Sequence, residues 1–301
     1  MKSKIILIFI DGIGLGNQTN DNPFYTSNMP FLTSLLSTRL VSGINIVKEH
    51  LLVKGIDASL GIDSCPPQSA TGQTALLTGI NAAKLLGYHL TAYPNDILIK
   101  AINEHNIFNK LFKNGLSATF ANAYDTKQYQ KRIQSGKIKH SVTTHCVMSA
   151  GLPFRTIDDL LNNNAVYWDI THEYLKQLNP ELDIIDPYQA GQNLARLTND
   201  HDFVLYECFL PDLIGHKRNH ENAQTFLGIF DRFLEACSLY SSKNNTTILI
   251  SSDHGNMEDL TTGGHTYNPV PLIAIGNDAK YFAHINAITD VCDSIVRVLT
   301  K

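Results

Sequence analysis

The chain has 301 residues, of which 43% are hydrophobic, and a formal net charge of -4. That length suits one large domain with a modest insertion, and the hydrophobic share is ordinary for a globular protein. The charge pattern contains no long basic run, which argues against a nucleic-acid partner, and no apolar stretch approaches the roughly 20 residues that cross a bilayer. The five cysteines are scattered without paired spacing, so we expect reduced thiols and a cytoplasmic location.

Apolar runs alternate along the chain between strand-like and helix-like patterns. In chain order the sequence predicts strand 5–10, helix 30–36, helix 73–77, helix 107–112, strand 117–120, helix 189–197, strand 203–206, helix 225–239, strand 248–250, strand 272–275 and helix 291–299. We interpret the first run as a core strand rather than a leader peptide, because it stops at Asp11. The alternation predicts a three-layer α/β/α sandwich with a mostly parallel sheet.

One section interrupts this alternation. Residues 124–186 are rich in Lys, Gln, Asn and His and contain the single tryptophan, Trp168. We predict that this section forms a small cap, inserted into a catalytic core made of residues 1–123 and 187–301. An earlier start of the cap, near Ala82, remains an alternative.

Acidic and imidazole side chains follow three of the predicted strands. Asp11 ends the first strand, Asp212 and His216 follow strand 203–206, and Asp253 with His254 follow strand 248–250. The carboxyl ends of parallel strands share one edge of a sheet, so these side chains are expected to converge there. Carboxylate together with neutral imidazole suits zinc, manganese or iron better than calcium.

A hydroxyl-rich turn at residues 66–72 leads into the predicted helix 73–77. A hydroxyl at a helix N-terminus lies beside exposed backbone N–H groups and the positive end of the helix dipole. That position favours an anionic ligand and a more acidic hydroxyl. Ser69 and Thr71 are both candidates for a nucleophile there.

Taken together, these segments resemble the alkaline phosphatase superfamily, and most of all its branch of cofactor-independent phosphoglycerate mutases and phosphopentomutases. The resemblance rests on five segments that occur in the family's order: Asp11-Gly12, Ser69-Ala70-Thr71-Gly72, Asp212-Leu213-Ile214-Gly215-His216, Asp253-His254-Gly255-Asn256, and His265-Thr266-Tyr267-Asn268-Pro269-Val270-Pro271. Each segment alone is a weak signal, but five in order across nearly the whole chain are a strong one.

The resemblance implies two divalent cations, Mn²⁺ or Zn²⁺, with manganese suggested by the similar enzymes. One cation would be held by Asp212, His216 and His265, and the other by Asp11, Asp253, His254 and the hydroxyl of Ser69. The family spacing favours Ser69 as the nucleophile, with Thr71 as the alternative. Lys84 and Arg218 lie near these segments and are weaker candidates for binding substrate phosphate.

The implied chemistry is phosphoryl transfer on a small-molecule phosphate ester through a phosphoserine. We expect a phosphatase or phosphodiesterase first, a small phosphomutase on a sugar or glycerate phosphate second, and a catalytically silent metal-binding protein third. The similar mutases carry a much larger insertion after the nucleophile helix, which is why hydrolysis is placed first.

Three further patterns carry less weight. The glycines of residues 12–16 have GxGxG rather than GxGxxG spacing, which disfavours a dinucleotide site. Residues 65–69 place a serine where the sulfatase pattern C-x-P-x-R has arginine, so a sulfatase is not expected. His89, His140 and His145 lie where a cover over the site is expected, and a structural role is favoured over phosphate binding for them.

Overall fold

The computed structural model describes residues 2–125, 129, 134, 135 and 139–301. Within these residues, a seven-stranded sheet runs in the order β2-β3-β9-β8-β1-β7-β4, and β5 and β6 form a separate pair. The strands are β1 Lys4–Ile10, β2 Asn45–Val47, β3 Leu51–Ile56, β4 Ala118–Phe120, β5 Ala123–Tyr124, β6 Arg155–Thr156, β7 Phe203–Cys208, β8 Thr246–Ser251 and β9 Val270–Ile275.

Strand β1 lies near the middle of the sheet and pairs in parallel with both β7 and β8. In this register Ile10 is opposite Cys208 and Phe9 is opposite Ser251, so the three strands end at the same level. Strand β4 extends the parallel part, whereas β9 runs antiparallel to β8 and to β3. The predicted, mostly parallel sheet is therefore confirmed, and the edge pair β2–β3 is an addition that the sequence did not suggest.

Helices cover both faces of the sheet. Their bounds are α1 Pro23–Thr26, α2 Pro30–Leu36, α3 Ser69–Thr78, α4 Ala82–Leu86, α5 Asp96–His105, α6 Ile107–Lys113, α7 Val142–Ser149, α8 Ile157–Leu161, α9 Glu173–Leu178, α10 Pro187–Arg196, α11 Leu210–Lys217, α12 His220–Ser241 and α13 Val291–Leu299. Short 3₁₀ turns occupy Leu197–Asn199, Ser242–Asn244, Ala279–Phe282 and Ile288–Asp290.

The side-chain alternation of β1 divides the core into two layers. Ile5, Leu7 and Phe9 pack with residues of α3, α5, α6, α7 and α13. The intervening residues Ile6 and Ile8 pack with α2, α10 and α12 on the other face. Because successive side chains of a strand point to opposite faces, a wholly apolar strand requires cover on both sides. The three-layer α/β/α arrangement follows from this.

Local capping fixes where several helices begin. The Asn219 side chain accepts a hydrogen bond from the Asn222 N–H at the start of α12, and Asp186 caps α10, whose first residue is Pro187. A side-chain acceptor at this position satisfies an N–H group that has no partner within the helix. Helix α3, by contrast, begins at Ser69 without a side-chain cap.

The section predicted to form a cap divides between two packing environments. Helix α7 contributes Val142, Cys146 and Val147 to the layer that contains α3. A smaller cluster forms beside it, from Ala123, Leu160, Ala165, Tyr167, Leu175 and Leu182. Part of residues 124–186 thus packs with the main core, and the exact bounds of a cap remain a prediction.

All five cysteines are free thiols, and four of them are buried. Within the described ranges, no helix combines the length and the apolar character that spanning a bilayer requires.

Candidate metal centre and nucleophile

The shared edge of β1, β7 and β8 positions the predicted ligands. Asp11 directly follows β1, and its backbone N–H donates to the carbonyl of Cys208 at the end of β7. Asp212 lies in the first turn of α11, one helical turn before His216. Asp253 and His254 follow β8 after one intervening residue and are completely buried. The expected convergence of strand ends therefore occurs.

Asp212, His216 and His265 form one cluster of potential metal-binding atoms, all within 4.8 Å of one another. The Nε2 atom of His216 lies 3.3 Å from Asp212 Oδ2, and Nε2 of His265 lies 3.5 Å from Asp212 Oδ1. The rings of these two histidines are 5.2 Å apart. This is the same set of three that the family resemblance implied for one cation.

The second group surrounds Asp11. Nε2 of His254 lies 3.2 Å from Asp11 Oδ1 and 3.5 Å from Asp253 Oδ2. Asp11, His254 and Asp212 also have potential metal-binding atoms within 4.8 Å of one another, so Asp212 lies between the two groups. The His254 and His265 rings stack at 3.6 Å, which makes the two groups one continuous site.

Backbone carbonyls fix the orientation of the histidine rings. Nδ1 of His216 lies 2.8 Å from the carbonyl of Gly263, and Nδ1 of His265 lies 2.7 Å from the carbonyl of Pro67. A carbonyl can only accept, so each Nδ1–H donates to its carbonyl, and Nε2 is the ring atom that faces the carboxyl groups. Burial and the neighbouring His254 lower the pKa of His265 to about 4, which keeps this ring neutral near pH 7. Such pairing of the second ring nitrogen is usual for histidines that bind metals.

Burial and mutual repulsion act on the carboxyl groups of Asp11 and Asp253. Burial first, and then the charge of Asp212, raises the pKa of Asp11, while burial and the charge of Asp11 raise the pKa of Asp253. Asp11 Oδ1 is a buried oxygen without a hydrogen-bond partner among the described residues. A divalent cation would supply the missing charge and use the free lone pairs, so the residues present fit a metal site.

Gln73 bridges the same two carboxylates, and the sequence analysis did not identify it. Its Nε2 donates to Asp11 Oδ2 at 3.0 Å and to Asp253 Oδ2 at 3.2 Å. A signal was present, because residues four apart on a helix share a face and Gln73 is one turn beyond Ser69.

Ser69 is the first residue of α3, so the helix begins four residues before the predicted start at residue 73. Its Oγ lies 3.0 Å from Nε2 of His254 and lines the cavity above the site. Thr71 is buried, and its hydroxyl is within 3.0 Å of both the Gln68 carbonyl and Nδ1 of His89. The geometry thus places Ser69, and not Thr71, toward the predicted metal ligands.

Close packing holds the start of α3 against the loop that follows β8. A Cβ added at Gly72 would lie 2.6 Å from the carbonyl oxygen of Asp253 and 2.9 Å from its Cβ. Since real Cβ atoms essentially never approach this closely, glycine is required for the helix to lie against Asp253 at this distance.

Glu258 is another residue that sequence reasoning missed. This buried carboxylate accepts from the backbone N–H groups of Gly14 and Asn256, each at 2.8 Å, and from the side chains of Thr266 and Asn268. It therefore ties together the loops after β1 and β8 and the segment that carries His265. Strand and helix periodicity carries no clear signal for this role, because two partners are backbone N–H groups and the other two lie 8 and 10 residues along the chain.

Asn256 orients Asp212 from the neighbouring loop. Its Nδ2 donates to Asp212 Oδ1 at 2.7 Å. Asn256 belongs to the Asp253-His254-Gly255-Asn256 segment that carried the family resemblance, although no role was predicted for it.

The cavity above these groups has a volume of about 800 Å³ and includes Ser69, Asp212, His216 and His265 in its lining. The structure does not bring Lys84 or Arg218 to this lining. Lys84 is exposed on α4, and the guanidinium of Arg218 donates through Nε to the carbonyl of Thr262.

His89, His140 and His145, which were expected near a cover over the site, have different positions. His140 lines the cavity, and its ring lies 5.5 Å from that of His145. His89 is hydrogen-bonded on both sides, to the Thr71 hydroxyl and to the carbonyl of Ser59. These contacts give His89 a structural role beside the nucleophile helix.

Residues 3–297 match the family model described as Metalloenzyme superfamily. The chain belongs to this superfamily. Among curated proteins, it is similar to the 2,3-bisphosphoglycerate-independent phosphoglycerate mutase of Acetivibrio thermocellus, with 33% identity over 108 residues, which is 33% of this chain and 20% of that protein. The corresponding mutase of Antithamnion sp. is 28% identical over 133 residues, which is 40% of this chain and 26% of that protein. The matches thus span about a quarter or less of these relatives.

Solved structures share the fold of this metalloenzyme along 99% of its chain. The alkaline phosphatase of the Antarctic bacterium TAB5 superposes with a TM-score of 0.58, 15% identity and 98% of that chain covered. The Leishmania mexicana phosphoglycerate mutase, solved at low cobalt concentration, superposes with a TM-score of 0.52, 11% identity and 95% of that chain covered. The predicted resemblance to alkaline phosphatases and cofactor-independent mutases is confirmed at the level of family and fold.

Proposed function

We propose that this metalloenzyme transfers the phosphoryl group of a small phosphate ester through a phosphoserine at Ser69. The observation that carries the proposal is the Ser69 hydroxyl, placed 3.0 Å from His254 Nε2 in a site where His254 Nε2 lies 3.2 Å from Asp11 Oδ1 and His265 Nε2 lies 3.5 Å from Asp212 Oδ1. Imidazole nitrogens and carboxyl oxygens gathered at these distances are the donor set that divalent transition metals prefer.

The proposed ligands are those of the two groups described above. Asp212, His216 and His265 would hold one divalent cation, and Asp11, Asp253, His254 and Ser69 would hold the other. Bound there, divalent cations supply positive charge for the phosphoryl oxygens and lower the pKa of the serine hydroxyl. Manganese and zinc both suit this donor set.

The residues of the chain account for the remaining steps. The Ser69 hydroxyl loses its proton to solvent, and its oxygen attacks phosphorus in line as the ester oxygen departs and takes a proton from water. The unpaired N–H groups at the start of α3, at Ala70 and Thr71, are positioned to donate to the phosphoryl oxygens. The phosphoserine is then attacked by water, which releases phosphate, or by a substrate hydroxyl, which completes a mutase cycle.

Transfer of the phosphoryl group to water and its transfer to a substrate hydroxyl are the two candidates for the second step. The similarity to phosphoglycerate mutases favours transfer to a substrate hydroxyl. The fold shared with an alkaline phosphatase is compatible with transfer to water. A metal-binding protein without turnover is the third possibility and is the outcome if no ester reacts.

The test is a turnover assay of the manganese- or zinc-loaded protein on phosphate monoesters, phosphate diesters and 3-phosphoglycerate. Phosphorus NMR separates released phosphate from an isomerised ester, and so separates hydrolase from mutase. Ser69→Ala should abolish both products and the phosphoserine that mass spectrometry detects after acid quenching. Ser64→Ala, at an exposed serine outside the cavity, should behave as wild type. Full activity of Ser69→Ala would remove Ser69 from the mechanism.

A further inference from the structure

The cavity that begins at the metal ligands is walled by aromatic side chains. Seven of its lining residues carry phenyl, phenol or indole rings, namely Tyr93, Phe120, Tyr124, Tyr129, Tyr167, Trp168 and Phe209. Phosphoryl transfer does not require rings beside the nucleophile. These side chains are therefore available to contact the alcohol part of the phosphate ester.

Trp168 and Phe209 form one part of this wall. Their rings are stacked, with centroids 4.2 Å apart and an interplanar angle of 16°. Phe209 directly precedes α11, three residues before Asp212. Its ring therefore lies close to the helix that carries Asp212 and His216. Tyr174 supports the indole from another side at 4.8 Å. Rings held in this way provide a surface on which another ring can stack without large loss of side-chain entropy.

A second set of rings is centred on Tyr124. Its ring lies 5.5 Å from that of Tyr129 and 4.6 Å from that of Phe154. Its hydroxyl is hydrogen-bonded to Thr144 Oγ1 at 2.8 Å, and Tyr124 and Tyr129 both line the cavity. The ring surface thus continues beyond Trp168 and Phe209.

Polar groups at the wall also bear on the type of substrate. Asp125 and the buried Glu207 both line the cavity. Lys139 and His140 line it as well, so the wall offers both acidic and basic side chains. A ring with hydrogen-bonding atoms at its edge suits this combination of aromatic and polar side chains.

We propose that the cavity binds a phosphate monoester whose alcohol carries a planar aromatic ring, with Trp168 and Phe209 as the residues that stack on it. This proposal rests on the phosphoryl-transfer function proposed above and defines its substrate class. An aryl phosphate and a nucleoside monophosphate share this chemistry and are distinguished by experiment. The cavity volume of about 800 Å³ is within the usual range for small-molecule sites.

Binding can be followed without turnover, because Trp168 is the single tryptophan of the chain. In manganese-loaded Ser69→Ala, the indole emission is measured during titration with phenyl phosphate, adenosine monophosphate, glycerol 3-phosphate and inorganic phosphate. We expect saturable changes in emission with a ring-bearing ester, at concentrations roughly 10-fold below those needed for glycerol 3-phosphate. Whichever ring-bearing ester binds more tightly identifies the source of the ring. Equal affinity for all four compounds would overturn the proposal.

Kinetics provide the second measurement. Trp168→Leu and the more conservative Phe209→Leu should lower kcat/KM for ring-bearing esters roughly 10-fold more than they lower kcat/KM for glycerol 3-phosphate, mainly through KM. Tyr281→Leu, at an exposed tyrosine outside the cavity, is the matched control and should leave both unchanged. A variant that fails to fold is recognised by circular dichroism, and the other variant then gives the answer.

The outcomes separate the two proposals. If no ester reacts with the wild type but ring-bearing esters still bind selectively, the proposed function fails and the substrate surface remains. If glycerol 3-phosphate reacts as fast as the ring-bearing esters, and the leucine variants slow all of them equally, the ring-binding proposal fails and phosphoryl transfer remains.

Discussion

Replacement of Glu207 by glutamine measures how much a carboxyl group buried in the cavity wall changes the free energy of unfolding. Glu207 lies in β7 with 6% of its surface exposed, and its Oε2 accepts a hydrogen bond from Thr143 at 2.6 Å. Burial raises the pKa of this carboxyl from 4.5 to about 7. Glutamine has the same shape and can still accept the Thr143 hydrogen bond, so the exchange removes the charge and little else.

The sign of the effect follows from proton linkage. The folded protein holds the Glu207 proton more tightly than the unfolded chain does. The resulting contribution to the free energy of unfolding is fully present below pH 4.5 and is lost as the pH rises to about 7. A pKa difference of this size corresponds to roughly 3 kcal/mol of unfolding free energy. Relative to wild type, metal-free Glu207→Gln should therefore gain about 3 kcal/mol between acidic and alkaline pH.

The assay is urea unfolding of both proteins at pH 4.5 and pH 8 with a chelator present, followed by circular dichroism. Glu104→Gln, whose side chain is 55% exposed, is the matched control and should show little pH-dependent difference. Bound cations near Asp11 would favour the ionised carboxyl, so the effect should shrink in the metal-loaded protein. A constant difference between Glu207→Gln and wild type across this pH range would refute the reasoning.

Three further predictions concern the site itself. Gly72→Ala places a methyl group against Asp253 and should cost about 1–3 kcal/mol of stability and most of the turnover; a stable variant of wild-type activity would contradict the packing argument. Gln73→Leu leaves oxygens of Asp11 and Asp253 without their shared donor, so urea unfolding of the metal-free protein should show a loss of about 1–3 kcal/mol, and a smaller loss with metal bound. His265→Ala should lower the metal content measured by mass spectrometry after dialysis, and an undiminished content of two ions per chain would exclude it as a ligand.

Local patterns in the sequence were sufficient to predict the sheet and the type of chemistry at its edge. The apolar run of β1 predicted a strand covered on both faces, and the aspartates after β1, β7 and β8 predicted one site, because parallel strands end at a common edge. The four-residue spacing of Asp212 and His216 predicted their shared turn of α11. Each of these inferences uses only geometry that neighbouring residues determine.

Tertiary structure alone decided which distant groups meet. The contact of Gln73 with Asp253 joins residues 180 positions apart, and the Nδ1 atoms of His216 and His265 face carbonyls supplied by other loops. The orientation of Trp168 into the cavity likewise depends on its stacking with Phe209. Strand and helix periodicity describes the direction of a side chain relative to its own element, whereas these contacts depend on how the elements pack.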